Sequence, residues 1–432
     1  MERKRKVLKM SYVKIQGGIP LHGEIKVQGS KNAVLPILAA ALLSEEEIEI
    51  ENCPKITDVE SMLILLSHLG VSYQWKEDGL LLRASHIHTT QIRKEDTELT
   101  RASILVLGAM LGRKREVEIA YPGGCAIGKR PIDYHLEGFR KLNVVIEEDN
   151  NSLFCQGRKL AGAKIVLPFP SVGATENIML AATLANGMTQ IINAATEPEI
   201  KELGQFLLKA GAKIYGLGTD QINIEGVEKL KGCKYHLGSD RIVTGTYLAA
   251  VAATQGEIEL KADCRNQLQA VFSVLNQMGA DIQFKDSDSR EKSIYLNMKR
   301  RPRSVKKLYT GVYPEFPTDL QSPFLAVLAI ADGKSMVEEN IFENRFKTAK
   351  ELNKMGADII VKEQRAFVRG KEHLIGNNIT APDLRGGAAL VIAGLAAEGI
   401  TKVGNIEYIN RGYENYYKNL RKLGAHIEQI EE

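Results

Sequence analysis

TGTYLAAVAATQG, residues 244–256, is the stretch on which the fold turns. Small and apolar residues run all the way round its helical wheel, so the segment reads as a helix with no face to give to water, one that has to be buried. Five other stretches share this character at a period of about 70 residues: LPILAAALL (35–43), RASILVLGAMLG (101–112), TENIMLAATLANG (175–187), LQSPFLAVLAIADG (320–333) and GGAALVIAGLAAEG (386–399). After each comes a short strand and then an amphipathic helix closing on Leu69-Gly70, Leu142-Asn143, Ala210-Gly211, Met278-Gly279, Met355-Gly356 or Leu423-Gly424. Gly or Asn at such a place suits a left-handed helix C-cap. A β-rich pair follows in most copies, such as AKIYGL and QINIEG within 212–226, or ADIIV and RAFVRG within 357–370. The repeated unit is therefore helix, strand, helix, strand, strand.

An all-apolar helix cannot lie on an open surface, so three units have to enclose their helices with sheets outside. Six units give an α/β protein of two inside-out barrel domains, each of three repeats with buried helices and outer sheets. A doubly wound parallel sheet would need continuous apolar strands, whereas these alternate. The cleft between two such halves is where helix N-termini would gather, and their dipoles favour an anion.

With 432 residues, the chain is long for one core, and two domains are expected. Its 57 basic and 53 acidic residues are spread along the chain, which argues for a local anion site and against nucleic acid as a partner. The basic run Glu2 to Lys6 reads as a solvated, frayed terminus. No apolar stretch reaches the ~20 residues of a membrane span, and the start lacks a signal peptide's apolar centre, so no membrane association and a cytoplasmic location are expected. Five scattered cysteines, Cys53, Cys125, Cys155, Cys233 and Cys264, show neither a disulfide framework nor zinc-ligand spacing. Four adjoin helix-like or strand-like segments and read as small buried hydrophobes. Cys125 does not.

Cys125 lies in YPGGCAIGKRP (121–131), with Gly123 and Gly124 before it and Lys129 and Arg130 after it. Positive neighbours lower a thiol pKa, so it is either a reactive thiol or an inert loop cysteine. Lys31, in GSKN just before the first buried helix, is either an anion ligand together with backbone N–H groups or a solvated lysine. Asp133 reads as a helix N-cap and His135 as a surface histidine. Asp319, in YPEFPTDLQ (313–321), stands before the fifth buried helix, where capping is its plain role. Arg345, Arg385 and Arg411 occupy comparable strand or loop ends, as an anion clamp would need.

Taken in order, GSKNAVLPILAA, TRAS, PGGCAIGKRPID, SVGATENIMLAA, FPTD, FENRF, APDLR and NRGYE closely resemble the enolpyruvyl transferase family, in its UDP-N-acetylglucosamine 1-carboxyvinyltransferase branch, over about Tyr12 to Ile430. The resemblance implies domains of 31–239 and of 1–30 with 240–432, with the active site between them. It implies transfer of the enolpyruvyl group of phosphoenolpyruvate to the 3-hydroxyl of UDP-N-acetylglucosamine with release of phosphate, at the start of peptidoglycan synthesis, without metal or cofactor. By motif alignment Cys125 is the proton donor and Asp319 the base. Lys31, Asn32, Arg130 and Arg411 hold phosphoenolpyruvate, with Arg345 and Arg385 as a further anion clamp. Arg101, Arg130, Pro131, Ile132, Asp133, Tyr134, Phe169, Pro170, Ser171, Val172, Asp319 and Ile341 fall where the family holds the UDP-sugar. Fosfomycin is expected to alkylate Cys125. Glu98, Thr100, Phe169 and Val243 depart from frequent family residues and bear on nucleotide affinity more than on reaction type. The cysteine loop separates this branch from 5-enolpyruvylshikimate-3-phosphate synthase, and retention of Lys31, Cys125, Asp319 and Arg411 together speaks against a duplicated copy that only binds.

Overall fold

The computed structural model describes residues 11–121, 131–149, 151–286 and 292–431. Cys125, Arg130 and the basic run at 2–6 lie outside the described residues. All six apolar stretches are helical, in Lys31–Ala40, Leu105–Lys114, Val172–Ala182, Arg241–Thr254, Gln321–Ile330 and Leu384–Ala396. Every residue of Arg241–Thr254 is buried. Burial of each large aliphatic side chain contributes about 1.5–3 kcal/mol against the entropy of ordering the chain. The amphipathic helices close as their sequence predicts. Gly70, Asn143, Gly211, Gly279, Gly356 and Gly424 all take positive φ, from 67° at Asn143 to 107° at Gly70.

Among the described residues the long strand pairings form six four-stranded sheets. The third unit shows the pattern. Lys164–Val166 leads into the buried helix Val172–Ala182 and pairs in parallel with the next strand, Met188–Ile192. The amphipathic helix Pro198–Lys209 then leads to the antiparallel pair Lys213–Tyr215 and Gln221–Glu225. Ile165, Ile191, Ile222 and Ile224 point inward and are at most 3% exposed. The five-element unit read from sequence is thus one strand short. The missing strand, before the buried helix, has only two to five residues and often a single inward side chain, too little alternation to register as a strand.

The apolar residues form two separate cores. One runs from Ala33 to Leu237, and the other joins Val13–Val27 to residues 242–427. The chain passes between them twice, and each passage carries a strand of one core directly into a helix of the other. His22–Lys26 pairs with Glu257–Lys261 but leads into the first buried helix, while Cys233–His236 pairs with Glu47–Glu51 but leads into the fourth. The two passages bridge each other at Gly29 and Ser239. Ser11–Gln16 lies between Ile400–Gly404 and His426–Glu431.

Candidate active site

Residues singled out from sequence stand at or just before the N-termini of the buried helices. Lys31 is the first residue of the first, and its backbone N–H donates to Asp240 Oδ2 at 2.9 Å. The other oxygen of Asp240 accepts from Ile242 and Val243, so one carboxylate caps helices of both cores. Arg241 donates Nε and Nη2 to Glu199 Oε1 and Oε2 at 2.9 and 3.1 Å, a buried bidentate pair joining the fourth helix to Pro198–Lys209 of the other core.

Asp319 does not cap the fifth helix. Its Oδ1 accepts from Arg345 Nη2 at 2.6 Å, and its Oδ2 from Arg385 Nε and Nη2 at 3.2 and 2.9 Å. Both arginines are 2% exposed, and Arg385 also stacks over the Tyr413 ring at 5.4 Å. Burial pushes the Asp319 carboxyl upward, but Arg385, Arg345 and Lys31 outweigh it and hold the group well below the usual carboxylate range. The charge of Lys31 thus reaches Asp319 from the other core.

Lys31 Nζ lies 2.8 Å from Asp58 Oδ2, and Arg411 Nε lies 2.8 Å from Asp58 Oδ1. Burial raises the Asp58 carboxyl and its two cations lower it, with a net shift downward. Lys31, Asp319, Arg345, Arg385 and Arg411 therefore form one charged cluster in which Asp58 and Asp319 are the anions. Asp58, Glu199 and the capping by Asp240 are features of the candidate site that sequence reading missed. Asp240 had a legible signal, since Gly238-Ser239-Asp240 repeats Gly29-Ser30-Lys31 at the equivalent helix start.

The remaining candidates stand at other helix starts and loops. Ser171 caps the third buried helix through the Ala174 N–H, with Val172 its first residue, Pro170 half-buried and Phe169 42% exposed beside it. Arg101 opens the short turn before the second. Pro131 and Ile132 precede Asp133–Lys141, where Asp133 is an exposed helical residue rather than the cap, because Ile132 takes the N-cap place. Tyr134 is half-buried, and His135, expected at the surface, is 6% exposed. Its Nδ1 lies 2.9 Å from Asn177 Nδ2, because this helix packs against the third buried helix. Asn32 and Ile341 are half-buried, and the Ile341 N–H donates to Glu339. Of the departures, Val243 is a core residue, and Glu98 pairs with Lys94 at 3.7 Å on the surface.

Cys155 and Cys264 are pushed up by burial to about 12, and Cys53 and Cys233 also shift upward, so the four described thiols are poor nucleophiles at neutral pH. Among the described residues no His, Cys, Asp and Glu cluster could hold a metal ion, and no helix is long and apolar enough to cross a membrane.

Residues 15–420 match the family model described as EPSP synthase (3-phosphoshikimate 1-carboxyvinyltransferase). The UDP-N-acetylglucosamine 1-carboxyvinyltransferase 2 of Caldanaerobacter subterraneus subsp. tengcongensis is 46% identical over 98% of this chain and all of its own length. The UDP-N-acetylglucosamine 1-carboxyvinyltransferase of Coxiella burnetii is 43% identical over 96% of this chain and 95% of its own. Among solved structures, the enolpyruvyl transferase NikO from Streptomyces tendae superposes with a TM-score of 0.88 at 21% identity, covering 98% of this chain and 100% of its own. EPSP synthase from Acinetobacter baumannii superposes at 0.76 and 19%, with the same coverage. Fold, ordered motifs and near full-length identity agree, and the chain belongs to the EPSP synthase family of enolpyruvyl transferases.

Proposed function

We propose that this enzyme transfers the enolpyruvyl group of phosphoenolpyruvate to the 3-hydroxyl of UDP-N-acetylglucosamine and releases phosphate, the step that commits the sugar nucleotide to peptidoglycan. The names of its full-length relatives support the substrate pair. The observation that carries the chemistry is the charge cluster shared by the two cores, with four cations around two carboxylates.

The enol ether becomes electrophilic only when carbon 3 gains a proton, which leaves carbon 2 cationic enough for the sugar oxygen to attack. Cys125 is the proposed donor of that proton. Lys31, Asn32 and Arg411, with Arg130 from the cysteine loop, hold the carboxylate and phosphate of the donor and balance the charge that moves onto phosphate as it leaves. Asp319 receives the hydroxyl proton. Fixed by two arginines it is a weak base, so it acts after positive charge has built up at carbon 2 and acidified the attacking hydroxyl. Loss of a proton from carbon 3 and departure of phosphate then regenerate the enol ether. Arg101, residues 131–134, residues 169–172 and Ile341 are the proposed sugar-nucleotide contacts, in the cleft between a domain of 31–239 and one of 1–30 with 240–432. A cytoplasmic location is part of the same reading.

The test is phosphate release from phosphoenolpyruvate with UDP-N-acetylglucosamine and, separately, with shikimate 3-phosphate. Turnover with the sugar nucleotide alone is expected. Turnover with shikimate 3-phosphate would move the chain to the other branch, and none with either would make it a binder.

A further inference from the structure

Asp58 is buried, at 2% exposed, on the second residue of the helix Thr57–Leu69, where the helix dipole favours an anion. Lys31 approaches one of its oxygens, and Arg411 spans both. Lys31 Nζ sits 2.8 Å from Oδ2, and Arg411 Nε 2.8 Å from Oδ1, with Arg411 Nη2 at 3.4 Å from Oδ2. Lys31 and Asp58 belong to the part of the chain that builds the first core, and Arg411 to the part that builds the second. Two like charges held against one carboxylate in a partly buried setting repel each other. A carboxylate between them offsets that repulsion, and its small span fixes how far apart they stand. The trio keeps one net positive charge for an incoming anion.

From this geometry we infer that Asp58 is a positioning residue for the donor anion: it sets the separation and aim of Lys31 and Arg411 across the two cores, and so governs phosphoenolpyruvate affinity without touching the sugar nucleotide. The inference rests on the reading of Lys31 and Arg411 as donor ligands. Asp58 acts through the cations, since both of its oxygens are already taken up by them. The lowered Asp58 carboxyl, with Lys31 and Arg411 outweighing burial, agrees with a group that stays ionised throughout.

Asp58→Asn keeps the shape and removes the charge. Its KM for phosphoenolpyruvate is expected to rise at least tenfold, with calorimetric UDP-N-acetylglucosamine affinity within twofold of wild type. Asp58→Glu restores part of the loss. A cycle with Arg411→Met separates this inference from the reading beneath it. If Asp58 acts through Arg411, the double variant's KM is no worse than that of Arg411→Met, which a general packing defect would not give. An unchanged KM in Arg411→Met sinks the clamp reading itself. A raised KM there, with Asp58→Asn at wild-type KM, sinks the role of Asp58 alone. Equal loss of affinity for both substrates reduces Asp58 to a fold residue and also overturns the inference. Should Asp58→Asn fail to fold, Asp58→Ser and its double variant with Arg411→Met decide by the same criteria.

Discussion

Asp319 combines two duties on one side chain. It neutralises Arg345 and Arg385, both buried, and in the proposed reaction it is also the base. Asp319→Asn should therefore lose activity by about 100-fold or more and also lose about 3 kcal/mol of stability, because two buried guanidinium groups lose their countercharge. A carboxyl held below its ordinary 3.8 contributes stability that is present above that value and disappears as pH falls below it. Urea titrations at pH 7 and pH 3 test this. A variant as stable as wild type at pH 7 would show that the arginines find other partners. Lys31, Asp319 and Arg411 were singled out through the family motifs GSKN, FPTD and NRGYE, since by themselves the first reads as readily as a solvated lysine and the second as a helix cap. Asp58 was not. In TDVES it looks like any acid in a first helical turn, and nothing in its spacing tells that its partners lie 27 residues back and 353 ahead.

The buried helices approach so closely that glycine decides where they touch. A Cβ on Gly108 would stand 2.2 Å from the Asn177 backbone oxygen, and the Gly108 N–H itself donates to Asn177 Oδ1 at 2.7 Å. Gly356, at φ +90° with nothing near its absent Cβ, needs only the left-handed backbone. Gly356→Ala should cost about 1 kcal/mol, while Gly108→Ala forces the second and third buried helices apart and should cost about 3 kcal/mol or more. Thermal melts of the two variants give the order, and Gly108→Ala melting above Gly356→Ala would refute it. The helices were readable because apolarity on every side leaves burial as the one solution, and the left-handed caps because Gly or Asn stood at all six. Strands such as Lys307–Tyr309 and Asn378–Thr380, each with one inward residue, draw their identity from the neighbour they pair with, which no local pattern records.

At the scale of the molecule, the two passages between the cores form a single joint. Asp240 caps helices on both sides, Arg241 pairs with Glu199, and Glu202 accepts from the Gly238 N–H at 2.6 Å. Burial, with help from Glu199, Asp263 and Asp240, pushes the Glu202 carboxyl up to about 7, against the Gly238 bond that lowers it. A raised acid favours the folded state most below its ordinary 4.5, and that contribution drains away as pH rises through about 7. Wild type should thus lose about 2 kcal/mol from this group between pH 5 and pH 8. Glu202→Gln, which still accepts from Gly238, should flatten that slope in melts across the same range, and parallel slopes would rule the effect out. The joint also has a history in time. Ser11–Gln16, with Val13 and Ile15 fully enclosed, is synthesised long before Ile400–Gly404 and His426–Glu431, its sheet partners among the described residues. At roughly 5–20 residues per second of translation the wait is about 20–80 s. Through that interval Val13 and Ile15 have no sheet to enclose them. Ribosome-stalled chains ending before Ile400 should accordingly be cut by trypsin at Lys14 far faster than finished ones, and equal rates would show that this strand is protected before its neighbours exist.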